Sequence, residues 1–319
     1  MRNGPEVSPT KRLPKPWGLF QTVTTLTTIP STRNRPAYAS FLQAEKALKR
    51  TRRRQQLLFL SLFSLMTAFS IYVGEVDLKE FFEGLPSFFN YFKDTIPEIS
   101  AGSITSDIAD WYWGMDKWLG YLWDTVLIAF LATLFGFTGA FVLCFPASRN
   151  LNSNRWTYFI SRRLTEFCRS VPELVFALIF VFSFGIGPLP GVLAIALHSC
   201  GALGKLFSEV NENIDMGVGE GVTASGGNWA QRIRFAVVPQ VLPNYMSYTL
   251  LRFEINVRAA SVVGFVGAGG IGQELMTAIR QFIYTDVSAI VLLLVVTVVL
   301  IDITCEKLRH RFIGTVGVV

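Results

Sequence analysis

From Glu220 to Gly272 the chain reads EGVTASGGNWAQRIRFAVVPQVLPNYMSYTLLRFEINVRAASVVGFVGAGGIG. A polar segment, Glu220 to Arg234, runs straight into an apolar one that starts at Phe235, passes Pro239 and ends in a cluster of glycines. Arg252, Glu254 and Arg258 lie inside that apolar segment, which is long enough to cross a bilayer. Charges at such depth are costly, so they face protein or a water-filled cavity and by default mark a pathway. Everything else therefore depends on whether this is a membrane protein.

Composition answers yes. Of 319 residues, 51% are hydrophobic and 16% charged, and the mean hydropathy is +0.41. Soluble domains carry about 25% charged residues. Several apolar runs near 20 residues predict an all-α membrane bundle. The net charge of +6 sits beside those runs, which fits the positive-inside rule and not a nucleic-acid surface. Cys144, Cys168, Cys200 and Cys305 form no C-x-x-C pair, and the two histidines belong to no H-E-x-x-H. No metal site and no catalytic residue are expected, and the thiols read as small packed apolar groups.

Taken in order, residues 1–56 form a polar, basic cytoplasmic tail broken by Pro5, Pro9, Pro14, Pro16, Pro30 and Pro36, with a low-complexity patch from Thr22 to Thr28. An organellar transit peptide shares this composition. The simpler role is that Lys46, Lys49, Arg50, Arg52, Arg53 and Arg54 hold the first span against an anionic leaflet. The pattern from Ala39 to Arg54 allows a short basic helix lying on that surface.

Residues 57–118 comprise the first span, ending at Val73, and an outer, periplasmic loop. In that loop Glu75, Asp77, Glu80, Glu83, Asp94, Glu98, Asp107, Asp110 and Asp116 outnumber Lys79, Lys93 and Lys117. Phe81, Phe82, Phe88, Phe89, Tyr91 and Phe92 predict an amphipathic helix at the outer interface. Trp111, Tyr112, Trp113, Trp118, Tyr121 and Trp123 predict an aromatic belt.

Residues 119–312 hold five further spans, at about 120–145, 172–185, 192–207, 235–266 and 287–303. A basic inner connection (Arg149 to Arg169), a tight outer turn (Gly185 to Gly191), an inner loop (208–234) and an outer helix (273–284) join them. Residues 313–319 are a short tail. Six transmembrane helices put both termini in the cytoplasm, next to basic clusters, and place the protein in a plasma membrane. No internal repeat appears, so any two-fold arrangement needs a second chain.

Gly267, Gly269 and Gly272 satisfy G-x-G-x-x-G, but a membrane helix stands where a dinucleotide site needs a buried strand. Gly264, Gly267, Gly269, Gly270 and Gly272 read instead as a gate or hinge at the end of the fifth span. Gly204-Lys205 lacks the glycine five positions earlier and the following Ser or Thr of a P-loop. Any ATP that drives this chain is bound by another subunit.

On the fifth span Tyr245, Tyr248, Thr249, Arg252 and Asn256 share one helical face, while Ser247, Glu254, Arg258 and Ser261 share the opposite one. Glu254 and Arg258 stand four apart with the acid first, a favourable pair. Two readings stay open for these groups and for His198 and Ser199 of the fourth span. They are either buried locks between helices or the lining of an anion path.

The stretch from Glu220 resembles the EAA loop of ABC importer permeases: Glu220, Gly226 and Pro239 stand at that loop's spacings, with Gly221 and Val222 in place of its two alanines. The flanking sequence is similar to the permeases of phosphonate importers (PhnE-type). Arg252 to Arg258, Gly264 to Gly272, Pro239 to Pro243, Lys205 to Glu209 and Glu173 with Val175 to Ala177 carry that resemblance, which covers Leu119 to Phe312.

The resemblance implies a type I ABC importer (MetI-like) fold, a second copy of this subunit and two cytoplasmic ATPase subunits that hold ATP and Mg. It also implies a periplasmic or lipoprotein substrate-binding protein. Glu220, Gly226, Gly227, Arg232, Arg234 and Pro239 would form the contact with the ATPase. His198, Ser199, Thr249, Arg252, Glu254, Asn256 and Arg258 would line the route of a phosphorus oxyanion such as phosphonate, phosphite, hypophosphite or a phosphate ester. An ion-gradient transporter or channel working without an ATPase, and a membrane oxidoreductase, are the competing classes.

Overall fold

The computed structural model of the chain describes residues 36–75, 77–97 and 102–314. The proline-rich stretch 1–35 with its threonine patch, Glu98 of the acidic loop and the end of the short tail lie outside the described residues. Among those described, every regular element is a helix. The chain divides into two units, residues 1–83 and 84–319.

In the first unit, α1 (Pro36–Val73) is one unbroken helix of 38 residues, about 57 Å long at 1.5 Å per residue. A separate surface helix from Ala39 to Arg54 is therefore not formed. The reason is local: no glycine or proline occurs from Ala37 to Val73, so nothing bends the helix out of the direction of its apolar half. Lys49 and Glu45 pair across one turn at 2.6 Å. The aromatic helix α2 (Leu78–Thr95) forms as expected, with Phe81 edge-on to Phe82.

In the second unit Tyr91 of α2 meets Tyr284 edge-on, 5.1 Å between centroids. α3 (Ile104–Trp111) leads into α4 (Met115–Cys144). The tryptophans here do more than form a belt. Trp118 is only 1% exposed and belongs to the core. Trp111 Nε1 donates to Thr285 O and Ser288 Oγ, and Trp113 Nε1 donates to Asp286 Oδ1 at 3.1 Å. These bonds staple the start of α4 to α12 (Tyr284–Gly314). Indoles carry one polar atom on a large apolar body, and partly buried ones satisfy it in this way.

α5 (Arg155–Ser170) and α6 (Glu173–Phe184) meet at 87°. The third crossing expected from Pro172 to Gly185 is thus a helix of only 12 residues, about 18 Å, against a hydrocarbon core of about 30 Å. Pro172 lacks an N–H to continue α5, and Val171 before it is extended at ψ 124°. Four helices, α1, α4, α7 (Pro188–Glu212) and α12, are long and apolar enough to span a membrane alone, or up to six spans if the two bent pairs each count as one. The second bent pair joins the segment 229–266 to α11 (Ile271–Arg280) at 45°.

α7 is the centre of the bundle, and its small residues explain why. Lipid offers no hydrophobic drive between helices, so close packing at small residues holds them. A Cβ at Gly136 of α4 would stand 2.7 Å from Ser199 Cβ, and one at Gly201 of α7 would stand 2.5 Å from Arg169 N of α5.

The inner loop expected at 208–234 is not a loop. α7 runs on to Glu212, and α8 (Met216–Ala224) and α9 (Trp229–Arg232) follow. A π-helical turn, Ile233–Val237, then feeds α10 (Val238–Val263).

Candidate functional site

α8 and α9 form a small capped hairpin. The Asp215 carboxylate accepts from Gly217 N at 2.9 Å and opens α8. At its other end Gly227 N donates to Val222 O and Gly226 N to Thr223 O, each at 3.0 Å. Gly226 takes φ +85°. This pairing is a Schellman cap, which needs a left-handed residue at the Gly226 position.

Asn228 then starts α9 with a capping box: its side chain accepts from Gln231 N, and Gln231 Oε1 accepts from Asn228 N. The base of the hairpin is clamped to α10, because Gln240 Oε1 accepts from Asp215 N while Gln240 Nε2 donates to Ala236 O. Trp229 Nε1 donates to Leu151 O, which ties the tip to the connection between α4 and α5.

Glu220, Arg234 and Pro239 are exposed. The Glu220 side chain has no hydrogen bond or ion pair among the described residues. Arg234 stacks over Phe235, 5.5 Å from its centroid. Arg232 differs. A Cβ built at Gly219 would stand 3.6 Å from its stem, and its Nε is buried with no hydrogen-bond partner. It lies inside the hairpin, where Glu220 and Arg234 lie outside. Beside the turn, Val218, Val222, Gln231 and Phe235 line an open groove of about 510 Å³.

The polar residues of α10 separate into three groups. Arg252 Nε donates to Ser199 Oγ, Ser199 Oγ donates to Asn256 Oδ1 and Asn256 Nδ2 donates to Thr133 Oγ1, at 3.0, 3.0 and 2.8 Å. Ser199 and Asn256 are fully buried, so this chain ties α4, α7 and α10 together. Beside it His198 Nδ1 lies 3.1 Å from Val171 O and 3.5 Å from Glu173 Oε2.

Glu254 and Arg258 pair at 2.7 Å on the opposite face, so they do not join Arg252. Thr249 bonds back to Tyr245 O and lines an apolar groove with residues of α4 and α12. Tyr245 completes a second lock: its hydroxyl donates to Asn211 Oδ1 at 2.6 Å, and Asn211 Nδ2 donates to Ser148 Oγ.

The glycine cluster is a tight corner. Gly267, Gly269 and Gly270 have φ between +75° and +88°. A Cβ at Gly264 would meet Gly269 O at 2.7 Å, and one at Gly272 would run into Ser261 O. Here two backbones touch, and only glycine fits.

Residues 143–311 match the family described as "Binding-protein-dependent transport system inner membrane component". The chain belongs to this family. Its relatives include the phosphite transport system permease protein PtxC of Stutzerimonas stutzeri, 37% identical over 76% of this chain and 83% of that protein. The phosphate-import permease protein PhnE of Mycolicibacterium smegmatis is 40% identical over 59% of this chain and 35% of that protein. Among solved structures, the MetNI methionine ABC transporter in an inward-facing conformation superposes with a TM-score of 0.55 at 21% identity, covering 62% of this chain and 97% of that one. The fold is thus that of MetI-like permeases. A member of this family is the membrane component of a transport system and not an enzyme, as the absence of any catalytic motif in the sequence leads one to expect.

Two members of the polar assembly do not emerge from the sequence as functional groups. Thr133 sits in an apolar run with no pattern to mark it. Glu173 does carry a signal, since it is the one carboxylate at the head of an otherwise apolar helix, directly after Pro172.

Proposed function

We propose that this chain is the permease subunit of an ABC importer for a phosphorus oxyanion. It has six crossings with both termini in the cytoplasm of a bacterial inner membrane, and an outer acidic, aromatic loop. Two copies pair, and two ATPase subunits bind ATP and Mg on the inner face. A substrate-binding protein delivers the anion from outside. The substrate class rests on what the relatives are named for, phosphite and phosphate.

The observation that carries the coupling role is the double-capped α8–α9 hairpin with its base clamped on α10 by Gln240. Short helices are marginal on their own, so caps at both ends make this one a stiff lever. Glu220, Arg234 and the groove beside Gly226 and Gly227 would engage the ATPase, with Arg232 as the internal brace. Push on the hairpin then reaches α10 through the π turn and Pro239. His198 and Arg252 line the route, held there by the buried Ser199 and Asn256, with Glu254–Arg258 and Thr249 as supports on other faces. The glycine corner, Gly264 to Gly272, seals the outer end.

Uptake of labelled phosphite or methylphosphonate into proteoliposomes holding the whole complex tests this. Glu220→Ala should abolish uptake while ATP hydrolysis continues and the complex stays in the membrane. Full uptake by the permease with no ATPase present would refute the reading and favour a gradient-driven carrier.

A further inference from the structure

α11 lies at the far end of α10 from the α8–α9 hairpin, beyond a helix of 26 residues that is about 39 Å long. Its faces are put to different uses. Ile271, Leu275 and Ala278 are buried in a core shared with α4 and α12, and Glu274 pairs with Lys117 of α4 at 2.5 Å. Gln273, Thr277 and Arg280 are exposed, and their i, i+4, i+7 spacing puts them on one stripe. That stripe lines a cavity of about 340 Å³, together with Ile186 of the turn before α7 and Gly264 and Gly267 of the glycine corner. A Cβ at Gly264 would stand 2.7 Å from Gly269 O, so no larger residue can occupy that position and fill the cavity from it.

The side chains of Gln273 and Arg280 make no hydrogen bond or ion pair among the described residues. Thr277 Oγ1 is already engaged, donating to Gln273 O at 2.9 Å. The cavity therefore holds an unneutralised guanidinium and a free carboxamide, with no carboxylate in its lining. Other charges at this end of the bundle are matched: Lys117 has Glu274, and Asp286 accepts from Trp113. An arginine in the last turn of a helix also complements the macrodipole, but a fully solvated cation serves that purpose and needs no amide beside it. A guanidinium offers paired N–H donors that match two oxygens of a tetrahedral oxyanion, and the carboxamide of glutamine adds another N–H donor. A concave lining with a few convergent polar groups suits a small ligand better than a docking protein.

We infer that Arg280 and Gln273 form an entry subsite for the transported anion, at the mouth of the permease where the binding protein lets it go. Two oxygens of the anion accept from the Arg280 guanidinium and a third accepts from the Gln273 amide, over the glycine corner. The inference rests on the function proposed above, which supplies phosphorus as the central atom; the donors themselves define a tetrahedral oxyanion.

The test places Thr277→Cys as a reporter in the cavity, in a chain whose native cysteines (Cys144, Cys168, Cys200 and Cys305) are alanine. The complete complex in nanodiscs is treated with a negatively charged methanethiosulfonate. Saturating methylphosphonate should slow modification by about ten-fold, the scale of one charge-assisted hydrogen bond. Arg280→Gln should abolish the protection and should lower the ratio of anionic to cationic reagent rates by about ten-fold, since the local cation is gone. Arg280→Lys keeps the charge and should retain protection at higher methylphosphonate concentrations, which guards against a folding defect. Modification unaffected by methylphosphonate in every nucleotide state, or protection that survives Arg280→Gln, would overturn the inference.

Transport gives an independent reading. In proteoliposomes with the binding protein outside, Arg280→Gln should lower the uptake rate at saturating binding protein by about ten-fold and leave the half-saturating concentration unchanged. An unchanged maximum with a higher half-saturating concentration would make Arg280 a docking contact for the binding protein and overturn the anion subsite. If wild type imports methylphosphonate while the reporter shows no protection, the entry subsite alone fails. If no phosphorus oxyanion is imported, the proposed function fails, and the ligand class assigned to the subsite falls with it.

Discussion

Gly226 and Gly227 are adjacent in the turn between α8 and α9, and the structure predicts that they fail in different ways. Gly226 holds φ +85°, and a Cβ added there would meet nothing within 4 Å. Replacing it by Ala therefore costs only the left-handed backbone penalty, roughly 1–2 kcal/mol. Asn tolerates that region and costs less. Gly227 has no such torsion, but its Cβ would stand 2.7 Å from Val222 Cγ1 and 2.8 Å from Val222 O. That carbonyl accepts the long bond of the cap from Gly227 N. Relief requires breaking the bond, about 0.5–1.5 kcal/mol, on top of an overpacking term of about 1–3 kcal/mol.

The expected order of damage is Gly226→Asn, then Gly226→Ala, then Gly227→Ala. A loss of about 1.4 kcal/mol shifts an equilibrium about ten-fold, so α8, nine residues long, should fray measurably in the second and extensively in the third. The assay is anion transported per ATP hydrolysed in proteoliposomes. Coupling should fall in the stated order while ATP hydrolysis persists. Gly227→Ala with full coupling, or Gly226→Asn as damaging as Gly226→Ala, would refute the cap as the coupling device.

Other outcomes follow from single contacts. Tyr245→Phe leaves Asn211 Oδ1 buried without its 2.6 Å donor and should destabilise the purified protein by about 1–3 kcal/mol, read as a lower Tm in detergent. Gly201→Ala puts a Cβ against Arg169 N and Thr165 O and should cost about 1–3 kcal/mol by the same measurement, with less folded protein recovered. Spin labels at Ala44 and Leu62 in α1 should give one narrow distance near 27 Å, from about 18 residues at about 1.5 Å each. A helix bent at the bilayer surface near Gln55 would give about 20 Å instead.

How legible all this is depends on the range of the signal. Spans announce themselves because hydropathy sums over about 20 residues, and Glu220, Gly226 and Pro239 because their spacing is a pattern along the chain. Contacts between distant segments leave no such trace. That Arg252 reaches Ser199 and Asn256 reaches Thr133 depends on how three helices cross, which a single helical wheel does not contain. The wheel correctly places Arg252 and Asn256 on one side and Glu254 and Arg258 on the other. Tryptophan's preference for the interface points Trp118 to the belt, whereas burial against α11 and α12 decides its place. The unbroken α1 is readable, since the absence of glycine and proline is in plain view, but the clustered charges point to a surface helix instead.

The two polar locks, Arg252–Ser199–Asn256–Thr133 and Tyr245–Asn211–Ser148, both join α7 and α10 to α4 or the turn just after it. Interhelical bonds of this kind contribute about 0.6 kcal/mol each on average and up to about 1.7, and they are directional, so sliding one helix would break several together. Apolar surfaces slide with no such loss. A transport cycle that keeps these bonds must move α4, α7 and α10 as one body, with motion concentrated at the α5–α6 joint and at surfaces toward partner chains. A covalent link within the body should then be harmless. Gly139 of α4 offers the position: a Cβ built there stands 3.5 Å from Cys200 Cβ, within the range that a disulfide accepts. Oxidised Gly139→Cys, bridged to Cys200 in a background without the other three cysteines, should import at the rate of its reduced form. Loss of uptake on oxidation, restored by reductant, would show that α4 and α7 must part during the cycle, and the locks would then be latches that open and not struts.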